Sequence, residues 1–170
     1  MSDVEIHQVR NDADRDAAKA LTWEFFEDQK AGYPDLVPNI ERYIEDHRIA
    51  ENLDRFGEMF EPPHGHTFLA WLGAAPVGLV KLRPYRETGG ELNRMYVRPE
   101  GRGRGAGRKL VSALIATARE CGHAYIHLAS LRAMTTAQRV YAAHGFRYYN
   151  PPDGYRADDN DIVHMRLDLS

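Results

Sequence analysis

The stretch Glu91–Gly122, ELNRMYVRPEGRGRGAGRKLVSALIATARECG, changes its residue pattern twice, and that double change decides the fold. Glu91–Arg98 sets Leu92, Met95, Tyr96 and Val97 among polar residues, which suits a pleated, half-buried strand. Pro99 ends the strand because it has no N–H for a ladder. Gly101, Gly103, Gly105 and Gly107 then permit a tight turn and bring bare backbone close to a ligand. From Lys109 onward, Leu110, Val111, Leu114, Ile115 and Ala118 share one helical face, and Gly122 is a C-terminal stop. A glycine turn that opens a helix offers unpaired N–H groups at the positive end of a dipole, which favours an anion such as phosphate. The same glycines also read as a plain packing turn or, as GRGRG, as a basic tether for nucleic acid. No Gly-Lys-Ser/Thr follows them, so the turn is not a P-loop. They alternate, and the next acidic residue, Glu120, falls inside the helix, unlike a dinucleotide fingerprint.

Working outward, Arg102-Gly103-Arg104-Gly105-Ala106-Gly107 resembles the Gln/Arg-x-x-Gly-x-Gly/Ala motif of the GNAT superfamily of N-acetyltransferases. Downstream, Val140-Tyr141-Ala142-Ala143-His144-Gly145-Phe146 is similar to the Leu-Tyr-x-x-x-Gly-Phe signature of the same superfamily. Two motifs in the right order and spacing are more specific than either alone. The resemblance implies acetyl-CoA as co-substrate and direct acetyl transfer to a primary amine, of a small molecule or a protein. It leaves the acceptor unnamed. A non-catalytic acyl-CoA sensor of the same fold is the alternative.

An amine near pKa 10 is protonated at neutral pH, so its acetylation needs a base. Glu91 lies eleven positions before Arg102, the offset at which histone-acetylating members of the superfamily carry their catalytic glutamate. The competing reading is a surface carboxylate at the start of a strand, solvated or paired with Arg94. Tyr141 stands where relatives commonly place the tyrosine that protonates the departing thiolate, and a phenol is roughly matched to that thiol. The resemblance further implies that the main chain of Met95, Tyr96 and Val97 pairs with pantetheine as an added strand. The N–H groups of Gly103, Arg104, Gly105, Ala106, Gly107 and Arg108 would hold the pyrophosphate, with the Arg102 and Arg104 side chains against phosphate oxygens. One position departs from the pattern: Met134 stands seven residues before Tyr141, where many relatives have a cofactor-binding asparagine. The neighbouring Thr135 offers a hydroxyl there, or caps a helix.

Composition bounds the rest. The 170 residues suit one domain covering residues 1–170, and 43% hydrophobic with 28% charged residues is an ordinary globular mixture. A net charge of −3 counts against nucleic acid and anionic membranes as partners. The basic residues Arg94, Arg98, Arg102, Arg104, Arg108 and Lys109 are expected to crowd around the glycine turn. Cys121 is the single cysteine, which excludes an intrachain disulfide, points to a reducing compartment and reads as a packing residue. With no apolar segment in MSDVEIHQVR, a cytoplasmic location is the expectation. Of the eight histidines, neither His64 with His66 nor His123 with His127 has metal-ligand spacing, and no metal is expected. His144 reads as a helix C-terminal residue favoured by the dipole. A homodimer is an expectation by analogy with relatives only.

In order, Val4–Arg10 reads as a strand, and Asn11 or Asp12 caps a helix over about Ala13–Lys30. Ala18, Leu21, Phe25 and Trp23 form the predicted buried stripe of that helix. A second helical pattern from Ile40 to Phe60 follows, bent near Asn52; the resemblance implies that this region shapes the acceptor pocket, with Tyr33 or Tyr43 the candidates to face substrate. Thr67–Leu72 and Val77–Arg83 form a hairpin over Gly73-Ala74-Ala75-Pro76. Tyr125–Leu131 is a strand, Thr135 or Thr136 caps a short helix, and Phe146–Tyr149 with Ile162–Leu169 is a final antiparallel pair. The order β-α-α-β-β-β-α-β-α-β-β predicts an α/β fold with a mixed sheet, helices on both faces and one parallel crossover.

Overall fold

The computed structural model describes residues 3–152 and 159–169. Seven strands form one sheet in the order β1-β2-β3-β4-β5-β7-β6. In sequence these are β1 (Val4–Gln8), β2 (His66–Leu72), β3 (Ala75–Tyr85), β4 (Gly89–Val97), β5 (Tyr125–Leu131), β6 (Arg147–Tyr148) and β7 (Ile162–Asp168). The first four make an antiparallel meander, β4 and β5 are parallel, and β7 lies antiparallel to β5 and β6. The mixed sheet and its single parallel crossover are as the sequence predicts.

Helices cover both faces. On one, α5 (Ala106–Glu120) lays Leu110, Val111, Leu114 and Ala118, all fully buried, on Val80, Leu82, Leu92, Ile126 and Leu128. Each such leucine or valine contributes about 1.5–3 kcal/mol by leaving water. On the other face, α1 (Asp12–Gly32), α2 (Val37–Asp46), α3 (Ile49–Asp54) and α4 (Phe56–Phe60) pack on Leu69 and Leu79. Asn11 starts α1: its side chain accepts from Asp14 N–H at 2.9 Å, while the buried Asp14 carboxylate accepts from Arg10 N–H at 2.8 Å. The first bond satisfies a donor that the helix start leaves open, and the second fixes the chain just before the cap.

Local readings need correction. Phe26 rather than Phe25 completes the buried stripe of α1, and Trp23 is exposed. The second helical pattern breaks into three helices at Arg48, which takes a left-handed φ of 51°, and at Arg55, not at Asn52. The β2–β3 hairpin turns over Gly73-Ala74 alone, with Gly73 at φ 63°. Helix α6 (Thr135–Ala143) has Met134 at its N-cap, and neither threonine caps it. Gln138 instead ties the strand exit to α6, its Nε2 donating to the Leu131 carbonyl at 2.8 Å.

Candidate active site

Strands β4 and β5 are paired only from Gly89↔Tyr125 to Glu91↔His127. Beyond Glu91 they part, because β5 continues with β7 to Leu131 while β4 stays with β3. The β3–β4 register slips where Val80 faces Met95 and Lys81 faces Asn93, leaving Arg94 as the extra residue of a bulge with a left-handed φ of 61°. A bulge bends and twists its strand, which moves β4 away from β5. For a residue with a Cβ that backbone costs about 1–3 kcal/mol and is held by its surroundings. Here the Arg94 guanidinium lies 4.9 Å from the Phe26 ring centroid and donates to the Tyr43 hydroxyl at 3.2 Å.

The gap between the strands is a cleft of about 1000 Å³, part of it open to solvent. Glu91, Asn93, Arg94, Met95, His127 and Tyr141 line it, with Phe25, Phe26 and Tyr43 from α1 and α2 forming its roof. Of the two tyrosines expected to face substrate, Tyr43 lines the cleft and Tyr33 does not. Glu91 is half-buried, and its Oε1 accepts from Asn93 Nδ2 at 2.8 Å. Tyr141 is 5% exposed, and burial pushes its phenol well above the ordinary tyrosine value. Its ring packs on Phe146, and among the described residues its hydroxyl donates no hydrogen bond to the chain.

At the far end of β4 the chain passes through a 3-10 turn, Pro99–Gly101, and then the glycine turn. Gly103 and Gly105 have φ of 72° and 79°, conformations that favour glycine, and Gly105 is the N-cap of α5. The helix therefore starts at Ala106, three residues earlier than its apolar stripe suggests. No side chain caps it, and the first helical bond at this end is Lys109 N–H to the Gly105 carbonyl. Among the described residues, the N–H groups from Gly103 to Arg108 find no acceptor in the chain.

The expected crowd of basic residues around this turn does not form. Arg94 turns to Tyr43, Arg98 clamps Glu24 through Nε and Nη2 at 2.7 and 2.6 Å, and Lys109 donates to the Val4 carbonyl at 2.8 Å. Arg102, Arg104 and Arg108 stay exposed there; Arg102 Nε donates to the Val97 carbonyl and Arg104 Nε to the Glu100 carbonyl. Met134 lines the cleft with its sulfur 3.4 Å from Gln29 Nε2, whereas Thr135 is exposed and does not line it. Cys121 is exposed, not a packing residue, and its Sγ lies 3.4 Å from His66 Nε2. Partial burial and Glu120 hold that thiol above its ordinary value, the opposite of an activated nucleophile. His144 is the C-cap of α6, its Nδ1 2.8 Å from the Val140 carbonyl.

Sequence reading missed three further residues of this face. His127, beside Glu91 across the parallel pair, stacks on Tyr85 at 4.2 Å and hydrogen-bonds Tyr149. Lys81 and Arg83 on β3 sit opposite Asn93 and Glu91. Alternation along β3 puts Lys81 and Arg83 on one face, but only the bulged register shows which residues they meet.

A cleft at a splayed parallel strand pair, a glycine turn with free N–H groups at its end and a buried tyrosine beside it define an acyltransferase-type site. The profile of the Acetyltransferase (GNAT) family matches residues 18–146, and the chain belongs to that family. An uncharacterized N-acetyltransferase of Schizosaccharomyces pombe is 31% identical over 99% of this chain and 97% of its own length. Among solved structures, the PaiA N-acetyltransferase of Thermoplasma acidophilum, in complex with coenzyme A, superposes with a TM-score of 0.75 at 18% identity, covering 99% of both chains. YncA of Salmonella typhimurium, solved with its cofactor acetyl-CoA, gives a TM-score of 0.67 at 21% identity, covering 98% of this chain and 94% of its own.

Proposed function

We propose that this acetyltransferase moves an acetyl group from acetyl-CoA directly to a primary amine held in the cleft. The observation that carries the reading is the partial pairing of β4 with β5, which ends at Glu91 and leaves the Met95–Val97 edge free beside the glycine turn. Pantetheine would add to that edge as a strand, and the N–H groups from Gly103 to Arg108 would receive the pyrophosphate at the positive end of α5. Coenzyme A in the related PaiA structure supports this assignment.

Glu91 then acts as the base. Asn93 holds one of its oxygens, which leaves the other to take the proton of the incoming ammonium, directly or through water. The freed amine nitrogen attacks the thioester carbonyl carbon, a β4 N–H steadies the oxyanion, and the carbon–sulfur bond breaks as the amide forms. Tyr141 donates a proton to the departing sulfur. Burial keeps its phenol protonated but also makes it a weaker acid than the rough match to the thiol assumes, so the proton passes only as charge builds on the departing sulfur. The products are the acetamide and free CoA. Cys121, exposed and far from activation, offers no covalent alternative.

Tyr141→Phe tests the assignment because one oxygen separates packing from chemistry. The ring still fills its place against Phe146, and no hydrogen bond within the chain is lost, so the melting temperature should hold. The expected kcat falls about 10²-fold or more, and less with an acyl donor whose thiol is a better leaving group. Glu91→Gln should lower kcat by about 10²–10⁴ at neutral pH, the defect shrinking as the acceptor amine deprotonates. Free-CoA release by both variants at the wild-type rate would remove Glu91 and Tyr141 from the chemistry, and no release by the wild type with any amine would return the chain to the sensor reading.

A further inference from the structure

Behind Glu91 the cleft opens into a second cavity of about 710 Å³, part of it solvent, between the sheet and α2–α4. The two share Tyr43, Glu91, Asn93 and Arg94 as a common wall. Three cations line the inner one, Lys81, Arg83 and Arg94, against a single carboxylate, Glu91, which Asn93 already engages. Elsewhere arginines are matched to carboxylates: Arg15 reaches Glu61 at 2.7 Å and Arg98 reaches Glu24 at 2.6 Å. Among the described residues, Lys81, Arg83 and Arg94 form no ion pair. Lys81 is 1% exposed, makes no hydrogen bond to the described chain, and holds its amine 4.2 Å from the Phe60 ring centroid.

Burying a lysine without a partner works against folding, and setting two arginines beside it adds repulsion. Burial first, then Arg94 and Arg83, push the Lys81 amine well below the ordinary lysine value. The left-handed backbone of Arg94 is a further cost at the same spot. Costs gathered on one cavity wall are offset when a ligand supplies the missing charge, and a planar guanidinium suits carboxylate and phosphate oxygens alike.

We propose that the acceptor is an amine that also carries an anionic group, a carboxylate or a phosphate, bound in this cavity by Lys81, Arg83 and Arg94. The inference rests on the amine-acetylation reading and gives the acceptor its class. Anchored there, the ligand directs its amine past Asn93 to Glu91 and the cleft. A cationic polyamine would meet like charge at this wall, so the acidic overall composition is no guide to the acceptor. The groups facing Lys81 are Arg83 on its own strand, Glu91 and Arg94 on β4, Tyr43 on α2 and His47 at its C-cap; α4 adds the rings of Phe56 and Phe60. An anion entering among them raises the proton affinity of Lys81.

The test is calorimetry on the full chain with CoA present, using matched pairs: glycine and glycinamide, O-phosphoethanolamine and ethanolamine, glucosamine 6-phosphate and glucosamine. At least one anionic amine should bind ten-fold or more tightly than its neutral match. The carboxylate and phosphate pairs tell which group is preferred. Arg83→Gln should weaken that binding ten-fold or more at unchanged melting temperature, and Arg94→Gln should do the same with some loss of stability, because it also gives up its contacts with Phe26 and Tyr43. Equal affinity within every pair, binding unaffected by both substitutions, or no binding of any anionic amine overturns the assignment. Acetyl transfer to the neutral amines alone overturns the anion site and leaves the transferase reading standing. Arginine-dependent anion binding without any CoA release does the reverse.

Discussion

Substitutions at Gly105 separate backbone strain from charge at the phosphate end of the cleft. The residue has φ 79°, and a Cβ built on it meets nothing within 4 Å, so any side chain fits sterically and is penalised only through the backbone. Asn and Asp tolerate the left-handed region better than other residues and are close in size, so Gly105→Asn and Gly105→Asp should lose similar stability, about 1 kcal/mol. Their difference in acetyl-CoA affinity then reports charge. A carboxylate about 5 Å from a phosphate charge costs about 0.8 kcal/mol in bulk water and about 3 kcal/mol at an effective dielectric of about 20. Asp should therefore bind acetyl-CoA between about four-fold and two hundred-fold more weakly than Asn, the gap narrowing in high salt. Calorimetric titration of the two folded variants at low and high ionic strength measures it. Equal dissociation constants for Asn and Asp would refute the placement of pyrophosphate at the start of α5.

Arg98→Ala should cost about 1–2 kcal/mol in urea denaturation, because it removes a two-pronged, half-buried contact to Glu24 and a bond to the Pro76 carbonyl at 2.7 Å. A loss near zero would make that clamp an ordinary surface pair. Lys81→Met should stabilise the protein at neutral pH in buffers free of multivalent anions. The unfolded chain keeps the lysine proton to about pH 10.4, whereas the native protein releases it at lower pH. Between those points the unfolded state binds more protons, so wild-type stability rises with pH, by up to about 1.4 kcal/mol per pH unit, and the Met variant loses that slope. Parallel stability–pH curves for the two proteins would show that Lys81 keeps an ordinary affinity for its proton.

Legibility followed the range of the interactions involved. The strands β1, β5 and β7 and the helix α5 are written in local alternation or helical periodicity, and each lies within a few residues of its predicted span. The break at Arg48 has no glycine or proline to announce it, because a left-handed arginine is selected by packing rather than by its own preference. The start of α5 was misplaced because its first turn is Ala106-Gly107-Arg108, with no apolar side chain longer than alanine. Motifs brought Glu91 and Tyr141 to one cleft on paper, and both line it. The partners of the basic residues were not legible at all. Arg98 finds Glu24, 74 positions away, and Arg94 finds Tyr43, 51 positions away. Such pairings depend on how α1 and α2 sit on the sheet, which no local pattern encodes.

The bulge at Arg94 joins the two halves of the site. A regular β4 would keep alternating, and Arg94 would point with Leu92 toward α5, into apolar core. The extra residue re-aims it to the opposite face, beside Phe26 and Tyr43, and in the same step shifts the register so that Lys81 meets Asn93. It also turns β4 off the line of β5, which frees the Met95–Val97 edge that the cleft needs. Under the proposed reading, opening the sheet for one substrate and placing a cation for the other are both consequences of one inserted residue. An arginine is a poor choice for that backbone, where glycine would be free of strain. Its side chain contributes what glycine lacks, a bond to the Tyr43 hydroxyl and a place beside the Phe26 ring, and in the proposed acceptor reading it adds a charge to the cavity it lines.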